Sequence, residues 1–407
     1  MQLSEGDREF LAGHHGDGAA LAMRILVRMG EVMGASRLLD IESAHIDGCL
    51  YHGEAGLDFA ERLAAGGARV RVPTTLNVGS LDLLHPELFR GDPDLAQKAG
   101  RLMERYTMLG CQPTWTCAPY HLVRPRLGQH IAWAESNAIV FANSVLGART
   151  NRYGDFIDIC AAVTGRAPAA GYHLAENRLA TALVTVDLPD EKVAEESTYP
   201  ALGFWLGKWT GTDVAVLQGI PESVSEDNLK ALGAAAASSG SVALFHVLGV
   251  TPEAPTLEAV TGGGVCGRRA VFGVEELQTS LRDLSTATGD RLDAVSIGTP
   301  HASRQELERL AGLLNGRRVQ RPFFVSTGRD VVELFAGLDR LQEAGVSVVT
   351  DTCTYVTPIL ADGVEVVMTN SAKWAYYAPG NLGIEVVFGS LRECVESAVA
   401  GRVTRED

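Results

Sequence analysis

The sequence lacks the features that would place this chain in a membrane, an export pathway or a nucleic-acid complex. No apolar run approaches the ~18 residues that a membrane span needs. The N-terminus has no basic segment followed by an apolar one, as a signal peptide would. Basic residues are the minority, 35 Lys and Arg against 50 Asp and Glu, and form no run. We therefore expect a cytoplasmic protein that binds neither nucleic acid nor a membrane.

Nucleotide-binding loops and a disulfide framework are missing as well. The glycine-rich stretches 13–19 and 262–267 match neither G-x-G-x-x-G nor a phosphate loop, so we predict no nucleotide cofactor. The seven cysteines are scattered and odd in number, which is not typical of a disulfide scaffold. Most of them are expected to be small buried side chains.

The chain has room for two or three packed units, because 407 residues exceed the usual length of one domain. Its second half alternates short β-branched runs with helical patterns, which predicts βαβ units and a parallel sheet. The predicted strands are 242–249, 293–298, 323–327, 346–351, 364–369 and 384–388. The predicted helices between them are 274–287, 303–314 and 329–345.

The first half also has an α/β pattern, although it is less regular. We predict an amphipathic helix over 18–33 and an apolar helix over 130–147. Residues 37–43 and 68–77 are predicted strands. A boundary within 193–207 would give two α/β units, 1–205 and 206–407, with the site expected between them.

Polar residues follow the predicted strands repeatedly, at the edge where parallel sheets bind ligands. Capping and turn formation explain any one such position, but six positions together favour a shared polar pocket. The residues concerned in the second half are Thr299, His301, Ser326, Thr327, Arg329, Asp351, Thr352, Cys353, Asn370, Ser371 and Lys373. Those in the first half are Ser43, His45, Thr74, Thr75 and Asn77.

Three cysteines are candidate metal ligands. Cys117 lies in a proline-bounded loop and Cys353 follows a predicted strand, while Cys111 precedes Cys117 by six residues. Three thiolates with an open position would suit iron or an iron–sulfur centre acting as a Lewis acid. Purely structural thiols are an equally open interpretation of this spacing.

Other side chains are candidates for binding and proton transfer. Lys373, at the start of a helix, suits a carboxylate or phosphate, and Arg149 could form a fork on a carboxylate. His45 and His301 are candidate acid–base groups by residue type. The polar residues of segment 128–152, for which internal bonding is the alternative interpretation, are His130, Glu135, Asn137, Asn143, Ser144, Arg149, Asn151 and Arg152.

Taken together, these motifs resemble the catalytic, large portion of the aconitase X family over essentially the whole chain. The resemblance implies an aconitase-like α/β fold with parallel sheets. The motifs that carry it are SAHIDG (43–48), VPTTLN (72–77), TCAPY (116–120), 128–152, 164–178, 243–255, GTPHAS (298–303), TDTCTYVTPIL (350–360) and MTNSAKWAYYAPGNLG (368–383).

The resemblance implies a hydro-lyase that dehydrates a small hydroxy acid. The family's known substrates are cis-3-hydroxy-L-proline, which gives Δ1-pyrroline-2-carboxylate, and mevalonate 5-phosphate. It also implies an iron–sulfur cluster or mononuclear iron held by cysteines, here Cys117 and Cys353, with Cys111 as the third candidate. His45, His301, Ser371 and Lys373 would be catalytic. Residues expected to bind substrate are Thr74, Thr75, Asn77, His130, Glu135, Asn143, Ser144, Arg149, Asn151 and Asn370.

The chain departs from the family pattern at two places. Many members have cysteine where this chain has Thr299, which changes the expected ligand set. Tyr153, Asp155 and Phe156 are bulkier than the usual glycine-rich run and would reshape the pocket. The family also pairs this portion with a small swivelling domain, which carries the catalytic serine in aconitase-like enzymes. We find none in the sequence and expect a separate small subunit.

Our leading interpretation is the large subunit of a cis-3-hydroxy-L-proline dehydratase. Three alternatives remain: a mevalonate 5-phosphate dehydratase, a related isomerase or lyase with an altered metal centre, and a metal-free scaffold subunit. The Ala-, Arg- and Gly-rich composition favours the first over the second. Cys117, Cys353, Lys373 and Arg149 together argue against the scaffold.

Overall fold

The computed structural model describes residues 1–405, which form two compact units. Unit 1 comprises Met1–Leu81 and Gly91–Leu179, and unit 2 comprises Asp82–Arg90 and the chain from Ala180 on. The predicted boundary after residue 205 would fall inside a helix, Thr198–Thr210, of unit 2. The last two residues of the predicted unit 206–407 lie outside the described residues. Across 1–405, no helix is both long and apolar enough to cross a membrane.

Unit 1 combines helices with short strands. The helices are α1 (Glu5–Leu11), α2 (Asp17–Val32), α3 (Glu54–Ala65), α4 (Pro93–Met108), α5 (Ser136–Ser144) and α6 (Ile157–Thr164). The strands are β1 (Leu38–Asp40), β2 (Ala44–Ile46), β3 (Thr74–Leu76), β4 (Ala132–Trp133) and β5 (Arg166–Pro168). Single 3-10 turns occupy Pro119–His121, Gly171–His173 and Ala175–Arg178. The strands form a parallel sheet in the order β3-β2-β4 and an antiparallel pair, β1-β5.

The predicted helix over 18–33 is confirmed as α2, which buries Ala22, Met23 and Leu26 in the core of unit 1. The strands predicted at 37–43 and 68–77 were both too long, and the first is reduced to β1. The predicted strand 68–77 is reduced to β3, because the Val70 and Arg71 amides donate to carbonyls outside any strand. These backbone N–H groups are therefore hydrogen-bonded without a neighbouring strand.

The predicted helix over 130–147 was wrong in its first part. Residues 132–133 form β4, and the helix begins only at Ser136. Glu135 separates the two elements, since its φ of 71° is incompatible with a continuous helix. Its carboxylate accepts the Ala138 N–H at 2.8 Å and so caps α5.

Unit 2 contains two parallel sheets. The strands of the four-stranded sheet are β6 (Ala182–Val186), β7 (Ala215–Gln218), β8 (Phe245–Val247) and β9 (Arg268–Phe272), in the order β8-β7-β6-β9. The strands of the five-stranded sheet are β10 (Ala294–Ala302), β11 (Phe323–Thr327), β12 (Val346–Val349), β13 (Val366–Thr369) and β14 (Glu385–Phe388), in the order β12-β11-β10-β13-β14.

The helices of unit 2 connect these strands and cover the sheets. They are α7 (Asp190–Ala194), α8 (Thr198–Thr210), α9 (Glu226–Ser239), α10 (Leu257–Thr261), α11 (Val274–Asp283), α12 (Arg304–Leu314), α13 (Arg329–Leu334), α14 (Leu338–Glu343), α15 (Ala372–Leu382) and α16 (Leu391–Ala400), with a 3-10 turn at Pro86–Leu88. This arrangement confirms the predicted α/β class with parallel sheets.

All six strands predicted in the second half are present, since their β-branched side chains are buried in parallel sheets. One predicted helix, 329–345, is broken into α13 and α14. The backbone becomes extended at Phe335, whose ring is buried. A Cβ at Gly337 would lie 2.5 Å from that ring, so glycine allows the chain to turn there.

Candidate active site

His301 and Cys353 lie together at the five-stranded sheet of unit 2, with His301 inside a strand and not beyond its end as predicted. His301 is in the last part of β10 and Cys353 is in the loop after β12, with exposed fractions of 0% and 1%. Their ligand atoms lie within 4.8 Å of one another. His301 Nε2 is 3.2 Å from the Thr352 carbonyl oxygen, so a proton on Nε2 would leave Nδ1 with its lone pair. The two side chains form a buried sulfur–nitrogen donor pair.

The electrostatics of His301 reflect these neighbours. Burial lowers the pKa of its imidazole, but hydrogen bonding to Cys353 and to the Thr352 carbonyl outweighs burial and raises the pKa above its usual value. These neighbours therefore favour a positive charge on the imidazole itself. Thiolate sulfur and imidazole nitrogen are also common ligands of iron and zinc.

The loop that carries Cys353 is fixed by charged hydrogen bonds. Arg329 holds the buried Asp351 with two bonds of 2.6 Å, from Nε and from a terminal nitrogen. Asp82 accepts the Thr350 N–H at 2.7 Å and the Thr350 hydroxyl at 2.8 Å. Asp351 also has a φ of 60°, which this network maintains. Both carboxylates position the loop immediately before Cys353.

The N-terminus of α15 lies beside the end of β10. Ser371 caps the helix by accepting the Trp374 N–H at 3.0 Å, and its hydroxyl donates to the Thr299 carbonyl. Asn370, Ser371 and Lys373 line a cavity with a volume of about 60 Å³. Lys373 is only 4% exposed, so it is not the solvated helix lysine that its position alone would suggest.

In unit 1, His45 and Thr75 are brought together on neighbouring strands, β2 and β3. His45 Nδ1 lies 2.8 Å from the Thr75 hydroxyl, and Nε2 is buried with no hydrogen-bond partner within residues 1–405. Burial lowers the pKa of His45 to about 3, because the opposing effect of the Glu135 charge, which raises the pKa, is smaller. His45 is therefore neutral near pH 7. Both residues lie within strands, as does Thr74, and not beyond the strand ends as predicted.

A carboxylate pair lies next to β2, with Asp158 buried and Asp47 half-buried. The Asp47 N–H donates to Asp158 at 2.7 Å, and the Asn77 side chain donates to the Asp47 carboxylate. Burial, reinforced by the charge of Glu135, raises the pKa of Asp47 to about 8. Burial likewise raises the pKa of Asp158 to about 7. These two carboxyl groups can exchange protons near neutral pH.

His130 is part of a second polar group in unit 1. Its Nδ1 lies 3.0 Å from Nδ1 of His173, whose Nε2 is 2.5 Å from the Tyr153 hydroxyl. Burial lowers the pKa of His173 to about 3, and burial and the nearby Arg149 lower that of His130. Arg149 donates to the His173 carbonyl, while its Nε is buried without a partner among residues 1–405. Arg149 thus remains a candidate anion-binding group.

Several predicted substrate-binding residues make internal hydrogen bonds instead. Asn143 bonds to the Thr150 backbone and to Arg178, and Asn151 bonds to the backbone of Ala170 and Tyr172. Thr74 donates to a backbone carbonyl and Glu135 caps α5, while Ser144 is buried in the same helix. These contacts favour the internal-bonding interpretation for this subset.

The two predicted cysteines of unit 1 have different surroundings. Cys117 is buried in the loop before a 3-10 turn, and its carbonyl accepts a bond from Asn137. Cys111 lies in the apolar core of the unit, where burial raises the pKa of its thiol far above the usual range. This environment opposes a thiolate at Cys111 and favours a structural role for it.

Several polar residues of these sites were not singled out in the sequence. Asp47 directly follows a buried strand, which is a signal that sequence reasoning could have used. Asp158 is the lone charge in an apolar helix, and Asp82 lies in an apolar stretch. Lys230 and Glu306 carried no sequence signal, because ordinary helix surfaces contain the same pattern.

Comparisons with known proteins agree with this architecture. Profiles of the first, second and third domains of aconitase X match residues 1–176, 180–282 and 292–400. Cis-3-hydroxy-L-proline dehydratase from Pseudomonas aeruginosa is 46% identical, over 98% of this chain and 70% of that protein. Phosphomevalonate dehydratase large subunit from Methanosarcina mazei is 37% identical, over 99% and 98%. A crystal structure of Thermococcus kodakaraensis aconitase X, a holo-form, has a TM-score of 0.89 at 35% identity, covering 98% of this chain and all of that one.

Proposed function

This chain belongs to the aconitase X family, and we propose that it is the large subunit of a hydro-lyase that converts cis-3-hydroxy-L-proline to Δ1-pyrroline-2-carboxylate. The relatives are named dehydratases, and the higher identity to the hydroxyproline enzyme, 46% against 37%, favours that substrate over mevalonate 5-phosphate. The structural observation that carries the proposal is the buried His301–Cys353 pair, since dehydration by this family implies a metal centre.

The donor set fits iron in unit 2. Cys353 offers a thiolate and His301 an imidazole nitrogen, and both are excluded from solvent. We propose Cys353 and His301 as ligands, with Cys117 added on the sequence prediction, and we no longer favour Cys111 because of its apolar surroundings. Both a mononuclear iron and an iron–sulfur cluster are compatible with these donors. When bound, iron would supply a Lewis acid for the departing hydroxide.

The chain's own residues would bind the substrate and move protons. The substrate carboxylate would be bound by Lys373 and the N-terminus of α15, with Arg149 as a second predicted cation. Efficient proton transfer needs a pKa near the working pH. Asp47, at about 8, meets this condition better than His45, at about 3. We therefore assign proton transfer to Asp47 and hydrogen-bond donation or acceptance to the neutral His45.

Anaerobic purification followed by iron and acid-labile sulfide analysis tests the metal proposal. We expect stoichiometric or higher iron in the wild type, and loss of most of it in Cys353→Ala and in His301→Ala. Cys394→Ala removes an equally buried thiol from the core of the same unit and should keep the iron. A wild-type chain without iron after anaerobic reconstitution would contradict the proposed centre.

The substrate assignment has a separate test. The iron-loaded chain, supplied with a small aconitase X subunit, should release water from cis-3-hydroxy-L-proline and leave mevalonate 5-phosphate unchanged. The opposite preference would show the phosphomevalonate reaction. Iron retention with neither reaction would favour a related lyase or isomerase.

A further inference from the structure

The cavity in unit 2 contains polar groups that the proposed metal centre does not use. It is bounded by α9, α12, α15 and the end of β10. Its volume of about 60 Å³ leaves room for a few water molecules or one small ligand. Its polar lining includes a group suited to an anion, at Thr299, Lys373 and α15, and a carboxylate-rich group at Lys230 and Glu306.

The first group is built to attract an anion. α15 has 11 residues, and the positive end of its dipole faces the cavity at Ser371 and Ala372. Thr299 lines the same space, is 5% exposed, and has a buried hydroxyl without a partner within residues 1–405. The Ser371 hydroxyl bonds to the Thr299 carbonyl, which places Thr299 at this helix terminus. Because an unpaired buried hydroxyl is costly, a ligand oxygen there would be stabilising.

The second group is rich in carboxylates. Lys230 is 2% exposed and pairs with both Asp227, at 2.9 Å, and Glu306. Two carboxylates thus share one ammonium in this group, while Lys373 lines the same cavity at α15. Glu306 uses Oε2 to accept from Lys230 and from the Ser303 N–H at 2.8 Å, so Oε1 is left for a ligand in the cavity. The nearby Glu196 is paired with Arg309 at 2.5 Å and adds no net charge.

We propose that this cavity binds a small zwitterion, with its carboxylate at Thr299 and the α15 N-terminus and its secondary ammonium at Glu306. The inference rests on the proposed function and deepens it, because it selects a cyclic imino acid over a phosphorylated hydroxy acid. A phosphorylated hydroxy acid has no ammonium to pair with Glu306, so it is less well matched to this group. Thr299 and Glu306 then determine specificity, and neither is a metal ligand.

Calorimetry on the iron-loaded chain tests the proposal with two probes, L-proline and cyclopentanecarboxylate, which share a carboxylate but differ in the ring nitrogen. We expect L-proline to bind more tightly. Thr299→Val should weaken both probes about tenfold, since each loses one hydrogen bond to a charged group. Thr299→Ser should restore binding. The iron content of both variants should equal that of the wild type, unlike that of Cys353→Ala.

Glu306→Gln isolates the ammonium contact. It should weaken L-proline about tenfold and leave cyclopentanecarboxylate unchanged, while Glu308→Gln, on the same helix and exposed, should alter neither. Equal weakening of both probes by Glu306→Gln, or no effect of Thr299→Val, would overturn the proposal. Probe binding that follows this pattern without any dehydration would refute the function and keep the cavity. Dehydration that neither variant changes would support the proposed function and refute the role of the cavity.

Discussion

Single buried titratable residues govern much of the chemistry available to unit 1. Burial acts on His45 and Asp47 in opposite ways, because it disfavours whichever form is charged. The imidazole becomes a poor base, with a pKa of about 3, while the carboxyl pKa rises to about 8. The residue types alone would have suggested the reverse assignment of roles, so the surroundings decide which group exchanges protons at neutral pH.

The low pKa of His45 predicts a stability effect with a defined sign. Below pH 6.5 the unfolded state takes up a proton on His45 that the folded state does not bind. The contribution of His45 to the free energy of unfolding is therefore complete above pH 6.5 and is lost as the pH falls. Between pH 7.5 and 5.5 the wild type should lose about 1.4 kcal/mol through this residue. His45→Gln, measured by urea unfolding at both values, should remove that loss.

The exposed His52→Gln variant provides the matched control, since its side chain reaches solvent in the folded protein. It should keep the pH dependence of the wild type. If His45→Gln also behaved like the wild type, His45 would have to be protonated in the folded protein.

Helix packing in unit 2 depends on close backbone approach between α8 and α9. A Cβ at Gly203 would lie 2.1 Å from the Leu232 carbonyl oxygen and 2.9 Å from the Ala235 Cβ. Gly207 meets the carbonyl of Ala236 in the same way, at 2.5 Å. Backbone atoms cannot move aside as a flexible side chain could, so these glycines fix the distance between the two helices.

Gly203→Ala should therefore lower the free energy of unfolding by about 1–3 kcal/mol, as overpacking does in other cores. Gly312→Ala, in α12, is the matched control because nothing lies within 4 Å of its added Cβ. That variant should be stabilised by about 0.5–1 kcal/mol, since alanine restricts the unfolded chain. Thermal unfolding of both variants and of the wild type measures these changes in stability. Equal behaviour would show that α8 and α9 can separate without cost.

Six parallel strands of unit 2, β8 and β10–β14, were predictable because their buried β-branched runs are short and bounded by turns, whereas β6, β7 and β9 were not predicted. The helix over 130–147 was not, since apolar residues continue through β4 into α5 and only the backbone at Glu135 separates them. The break at Phe335 has a similar cause, as a helical pattern runs across a residue whose ring must enter the core. A local sequence pattern does not show which side chain will have to enter the core of the folded protein.

At the scale of the whole molecule, the three matched domains fall into two compact units, with the second and third aconitase X domains both in unit 2. The large-subunit names of the archaeal relatives support the proposed small partner. Family resemblance places a catalytic serine on that partner, so the chain by itself should be deficient in proton transfer.

Adding a separately purified small aconitase X subunit should raise turnover of the iron-loaded chain by about 10²–10⁴-fold, the usual worth of one acid–base group. A small subunit whose serine is replaced by alanine serves as the control and should give little gain. Steady-state rates with and without the subunit make the comparison. Full turnover by the 407-residue chain alone would contradict a required partner.

The sequence by itself determined the α/β class, the family and the strands that lead to Cys353, His301 and Lys373, because burial periodicity and ordered motifs are properties of the linear chain. Tertiary structure decided which candidates lie together and which are used internally. It paired His301 with Cys353, buried Cys111 in an apolar core and used Asn143 and Asn151 as internal supports. Ligand distances, desolvation and hydrogen-bond partners arise only when distant segments meet, so no spacing along the chain encodes them directly.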